Sequence, residues 1–170
     1  MDASADGRVP IVIVVTRDLV PPERAMPLVE LRGKPGFVDI KGAQPLADFQ
    51  PIEGVEVPES SVYLLADVDT GKESLKVTPD AALEAIRRQA RSPLTIDEGV
   101  ALVTHFPELL KTHNAFSLLG SRSGDRRVPA IWLSAGRPRL GWCWAGNPHT
   151  WLGSASCNGR VGAVARVASR

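Results

Sequence analysis

Cysteine is scarce in this chain: Cys143 and Cys157 are the only two in 170 residues, too few for a disulfide framework. Long hydrophobic runs are missing as well. The apolar stretch Val9–Val15 includes Pro10, meets Arg17 two residues after it ends, and is too short to span a membrane. Met1 to Arg8 carries two acids and no basic segment ahead of that stretch, so the flanks of a secretory signal are absent. These absences predict a cytoplasmic protein with reduced thiols and no membrane partner. There is no internal repeat or low-complexity tract, and 44% hydrophobic with 23% charged residues excludes the collagenous, coiled-coil and disordered classes. A chain of this length suits one domain. It buries roughly 70% of its unfolded surface and needs neither disulfide nor metal to hold a core.

Acidic residues are almost missing from the last third. From Lys111 onward Asp125 is the only acid among nine basic residues, and all four tryptophans lie in the same stretch. Residues 1–85 hold 8 basic and 15 acidic residues, a net charge of −7, while residues 86–170 hold 12 and 4, a net charge of +8. A basic, Trp-rich surface suits anionic or planar ligands. Because both halves share one domain, their charges are also expected to screen each other. A pI near 7.8 lies below the usual footprint of a nucleic-acid binder, so no nucleic-acid partner is expected.

What is present predicts an α+β chain. Ile11 to Val15 is continuous and β-branched, the pattern of a strand buried on both faces. Pro21-Pro22-Glu23 opens a helix through about Leu31, ended by Gly33-Lys34-Pro35-Gly36, a loop without phosphate-cradle spacing. Residues 37–60 read as loops with one or two short strands. Ser61 to Val68 reads as a strand closed by Asp69-Thr70-Gly71. Thr78-Pro79-Asp80 starts a helix to about Arg91. Thr95-Ile96-Asp97-Glu98 has capping-box spacing for a second helix to His105 or Phe106.

Three strands then follow at Phe116–Leu119, Val128–Leu133 and Leu140–Ala145, joined by turns at 122–125 and 135–138, an antiparallel meander. Pro129 requires a free edge or a bulge beside the second strand. In the third strand Leu140, Trp142 and Trp144 share one face, and Gly141, Cys143 and Ala145 the other. The predicted fold is one α+β domain over 9–160, its antiparallel or mixed sheet packed by two to three helices. Residues 1–8 are expected to be a flexible N-terminus and 161–170 a weakly held tail.

The segment 140–157 is the least generic part of the chain, with three tryptophans, His149, both thiols and the break Asn147-Pro148. A binding role would use Arg122, Arg126, Arg127, Trp142, Trp144, Asn147 and Trp151 on an anionic or planar small molecule or a protein partner. At least one tryptophan is expected in the core and at least one, Trp151 first, partly exposed. A hydrolase- or transferase-like role on an anionic substrate would use His149 as base, with Asp125, Arg126, Arg127 or Asn147 as orienting or anion-stabilising groups and Cys143 or Ser154 as nucleophile. The residues leave open whether the chain is an enzyme, which cofactor it takes, and its oligomeric state. A metal reading joins Cys143, His149 and Cys157, with His105 or His113 as a fourth ligand. The spacing C-x5-H-x7-C matches no common zinc motif, and no metal is expected.

The stretches Pro93–Gly99, Gly120–Pro129 and Leu140–Gly153 carry a resemblance. Together they resemble an actinobacterial family of uncharacterised proteins (domain of unknown function 5701), over about Val9 to Gly159, and the last motif is specific. The resemblance implies a bacterial cytoplasmic protein and brings no established activity, cofactor or catalytic residue. Ser123 stands where family members often have cysteine, and members often carry a longer helical N-terminal region, against which the resemblance implies a shortened version. A role resting on a thiol at that turn therefore does not carry over.

Overall fold

A computed structural model describes residues 6–163. The long strand β1 (Arg8–Val15) leads through a one-turn helix, α1 (Pro22–Ala25), to three two-residue strands, β2 (Glu30–Leu31), β3 (Lys34–Pro35) and β4 (Phe37–Val38). Next come β5 (Gln50–Pro51), the long β6 (Val62–Asp69), α2 (Pro79–Arg88), β7 (Ser92–Pro93) and α3 (Ile96–His105). The last third is strand: β8 (Ala115–Ser117), β9 (Ser121–Arg122), β10 (Arg127–Ser134), β11 (Arg137–Trp144), β12 (Leu152–Ser154), β13 (Ser156–Cys157) and β14 (Gly159–Gly162). None of the described helices is long and apolar enough to cross a membrane.

Two five-stranded sheets organise the domain. In one, of order β12-β8-β10-β11-β4, the expected antiparallel meander β8-β10-β11 is flanked by β12 and β4, each parallel to its neighbour. The other has the order β1-β6-β13-β7, and β14 continues along β6 beyond β13. Pro129 lies in the middle of its sheet, yet its carbonyl accepts from Leu118 N at 2.8 Å just past the β8–β10 ladder. Its missing N–H would face the Leu118 carbonyl, which accepts from Ser121 N at 3.3 Å instead.

α3 is buried almost all round. Its Leu102 and Val103 join Val12, Leu65, Ile131 and Leu140 in the main core between the sheets. A second cluster packs Ala82 and Ile86 of α2 on Val128, Ala130, Cys143 and Leu152. Both caps form as their residues predict. Thr78 accepts from Ala81 N, and Thr95 and Glu98 close a capping box.

Four expectations need correction. From Ile11 onward β1 is buried on one face only: Val12 and Val14 enter the core while Ile11, Ile13 and Val15 stay exposed. A continuous apolar run does not require two-sided burial. The helix expected through Leu31 stops at Ala25 and tightens into a 3-10 turn at Met26–Leu28, because Pro27 has no N–H to extend the ladder. α2 ends at Arg88 rather than Arg91, since Ala90 turns the chain with φ of 55°. β14 carries pairing through Gly162, opposite Tyr63, two residues into the segment expected as a tail. Residues 1–5 and 164–170 lie outside the described residues.

Glu98 is more than a cap. Its carboxylate is fully buried and accepts from Thr95 N at 2.8 Å, the Tyr63 hydroxyl at 2.6 Å, Arg160 Nε at 2.5 Å and Arg160 Nη2 at 2.9 Å. Arg160, from β14, also donates to Ser92 Oγ at 2.6 Å and the Pro93 carbonyl at 2.9 Å. Burial works against the Arg160 charge, and the Glu98 carboxylate more than offsets it. Burial, together with the same carboxylate, holds the Tyr63 phenol protonated far above its ordinary range.

Candidate functional site

The register of the β10–β11 hairpin sets Arg127 opposite Trp144 and Pro129 opposite Trp142, so Arg127 and both indoles share one face. The Arg127 guanidinium lies 4.9 Å from the Trp142 ring centre and 5.0 Å from that of Trp144. The two indoles meet edge to face at 4.9 Å. Asp125 completes the arrangement by accepting from Arg127 N at 2.7 Å and pairing with the same guanidinium. The backbone N–H of Arg127, then its side chain, hold the Asp125 carboxyl below its usual range. Trp142 Nε1 donates to the Lys41 carbonyl at 3.1 Å.

The other wall is built from β10 and the loop after β11. A Cβ on Gly141 would come within 2.4 Å of the Trp132 ring, so glycine is what lets that indole lie across β11. Trp132 meets Trp151 at 6.1 Å, and Trp151 meets His149 at 5.4 Å. Arg139 lies over Trp132 at 4.8 Å and pairs with Asp39 at 3.1 Å. Between these groups is a cavity of about 270 Å³, walled by all four tryptophans with Cys143, Asn147, His149 and Leu152. His149 Nε2 is buried in that wall without a hydrogen-bond partner.

Trp142, Trp144, Asn147, His149 and Trp151 therefore converge as a set, and Arg127 stacks on two of them. Trp132 belongs to the set but escaped the sequence reading; its place opposite Arg139, diagonal to Gly141 on the same face, was the available signal. The arginines are less involved than expected. Arg126 reaches Asp80 at 3.3 Å on the exposed surface. Arg122 is partly buried, where desolvation disfavours its charge. Ion pairs Arg91–Asp67, Arg126–Asp80 and Arg139–Asp39 join the basic half to the acidic half, as charge screening predicts. No tryptophan is fully buried, and the most exposed is Trp144, not Trp151. The hairpin carries its indoles past the edge of the core.

The catalytic pairing of His149 with Asp125 does not form, because Asp125 is held by Arg127. Ser154 is buried, its backbone N–H donating to Ser74 Oγ at 2.8 Å. Cys143, His149 and Cys157 do not gather either. Cys143 packs beneath α2 and Cys157 in the main core. Among the described residues no group of three His, Cys, Asp or Glu side chains is placed to hold a metal.

Burial pushes both thiols up to about 11. Neither is expected to react with an aromatic disulfide reagent at pH 8 in the folded protein, and both should react at once in urea. Fast labelling of either native thiol would contradict this assignment. The folded state keeps these protons more tightly than the unfolded chain does. Their contribution to stability is thus complete below the ordinary thiol range and is lost as pH rises toward about 11.

No curated protein and no solved structure matches the chain. A protein family does match, described as a family of unknown function (DUF5701), over residues 1–163. That span includes every strand and helix described above, together with the tryptophan-walled cavity. The chain belongs to the DUF5701 family.

Proposed function

We propose that this is a binding protein whose working site is the tryptophan-walled cavity, and that its ligand has a planar, largely apolar body with one polar edge. One observation carries the reading: all four tryptophans line a half-open space of about 270 Å³ that has an unpartnered, buried His149 Nε2 in its wall. Indole walls favour flat partners by stacking and edge-to-face contact. The volume, near the lower end of small-molecule sites at roughly 300 Å³, fits one or two fused rings. Charge ranks below shape here, because Arg127 and Arg139 are each already neutralised by an aspartate.

Quinoline and naphthalene-2-carboxylate, a neutral and an anionic probe of one shape, test the proposal when followed through the indole N–H resonances. Both are expected to shift Trp132 and Trp151, with affinities within about tenfold of each other. Trp151→Ala should weaken binding tenfold or more, in the range of an aromatic anchor worth about 2 kcal/mol. His149→Ala should weaken quinoline about fivefold, roughly the 1 kcal/mol of one hydrogen bond. No shift with either probe, or unchanged binding in Trp151→Ala, would overturn the reading.

A further inference from the structure

We infer that the outer face of the sheet formed by β1, β6 and β14 is the contact surface of a homodimer. The observation is independent of the tryptophan cavity. Register places Ile13 opposite Leu64, Val15 opposite Val62, and Val161 opposite Leu64 from the other side. With Ile11, these six side chains form one continuous apolar field over three strands, each 38–55% exposed. Together they leave on the order of 500 Å² of apolar surface bare, at the upper end for a monomer. That is more than half of the roughly 800 Å² per partner that a stable interface buries.

A second copy is the occupant that the surroundings favour. A two-fold contact requires a surface complementary to itself. Leu28, 76% exposed, stands beside an apolar hollow of about 220 Å³ shared with Val15 and His105, so each copy presents both a knob and a recess. The charges at one end of the field are mutually compensated. Arg8 pairs with Asp67 at 3.5 Å and with Asp69 at 3.1 Å, and Arg91 pairs with Asp67 at 2.7 Å. Like-charge repulsion between copies is therefore small. The Ile13 carbonyl on β1 already accepts from His105 Nε2 at 3.1 Å, which blunts the edge against strand addition. Face-to-face stacking, with sheets about 10 Å apart, is the contact left open.

Sedimentation velocity of the full chain, from about 1 to 100 μM in line with ordinary affinities, tests this directly. The wild type is expected to pass from the 18.2 kDa chain mass to twice that mass. Leu64→Lys and, separately, Val161→Lys should shift the midpoint at least tenfold. Both positions are exposed, so the circular dichroism spectrum should be retained. Glu84→Lys, on the far helix, should dimerise as the wild type does. A wild-type chain that stays monomeric throughout overturns the proposal, as does a dimer that survives both face substitutions. A monomer that begins to associate only after removal of residues 164–170 assigns the face to that segment and likewise overturns it.

Discussion

Glu98→Ala is expected to lower the stability of the folded protein by about 3–5 kcal/mol, the range for breaking a buried ion pair on one side. The substitution leaves the Arg160 guanidinium, 6% exposed, without its carboxylate. It also strips the Tyr63 hydroxyl and Thr95 N–H of their acceptor, and each buried unmade hydrogen bond adds to the loss. Arg160→Met should lose a similar amount for the opposite reason, a fully buried carboxylate left without its cation. Arg160→Lys should recover little. Its single ammonium cannot reach both Glu98 oxygens, Ser92 Oγ and the Pro93 carbonyl as the planar fork does. The double variant Glu98→Leu with Arg160→Met should be clearly more stable than the sum of the single losses predicts, because it removes both charges together. Urea unfolding of the four variants supplies the test. Single losses below about 1 kcal/mol, the usual ceiling for a solvated pair, would show that the network is not desolvated.

Gly71→Ala should be nearly as damaging, through sterics rather than charge. Gly71 has φ of +81°, and a Cβ there would sit 2.2 Å from the Ser154 carbonyl oxygen and 2.6 Å from Ser154 N. These are backbone atoms of β12, which cannot swing aside as a side chain can. Gly153 faces back with the same constraint, 2.4 Å from the Gly71 oxygen, so two glycines let the turn after β6 lie against β12. Strain at positive φ and forced overpacking together amount to roughly 3–5 kcal/mol. Gly54→Ala isolates the two contributions. Gly54 has φ of +83° but nothing within 4 Å of its added Cβ, so only the conformational cost of about 1 kcal/mol applies. Equal losses at both glycines in thermal unfolding would refute the close-approach argument.

The parts of the fold that were legible in the sequence are those governed by near neighbours. The capping box at Thr95–Glu98, Pro79 at the start of α2, and the alternation of Leu140, Trp142 and Trp144 each depend on residues a few positions apart. The meander was readable for the same reason, since short turns join its strands. What escaped depends on distant partners. The spacing Thr95 to Glu98 gives a cap correctly, but nothing local reveals that the same carboxylate faces Tyr63 and Arg160, 35 and 62 residues away. In β1 the composition signals a strand and leaves open how many of its faces are covered. At the candidate site, Trp142, Trp144, His149 and Trp151 could be nominated because they crowd one segment. Trp132 joined them only through cross-strand register, and Arg122 and Arg126 dropped back because their surroundings, not their spacing, decide what they reach.

The Glu98–Arg160 link also has a consequence for biosynthesis. Its two halves leave the ribosome 62 residues apart, an interval of several seconds at roughly 5–20 residues per second. Throughout that interval α3 can form its local cap, but docking it fully would seal an uncompensated carboxylate inside the protein. Full consolidation of the domain is therefore expected only once β14 delivers the guanidinium. Final consolidation is thus linked to completion of the strand that also finishes the sheet, and a chain truncated before residue 160 is expected to be less stable by the loss of that pair.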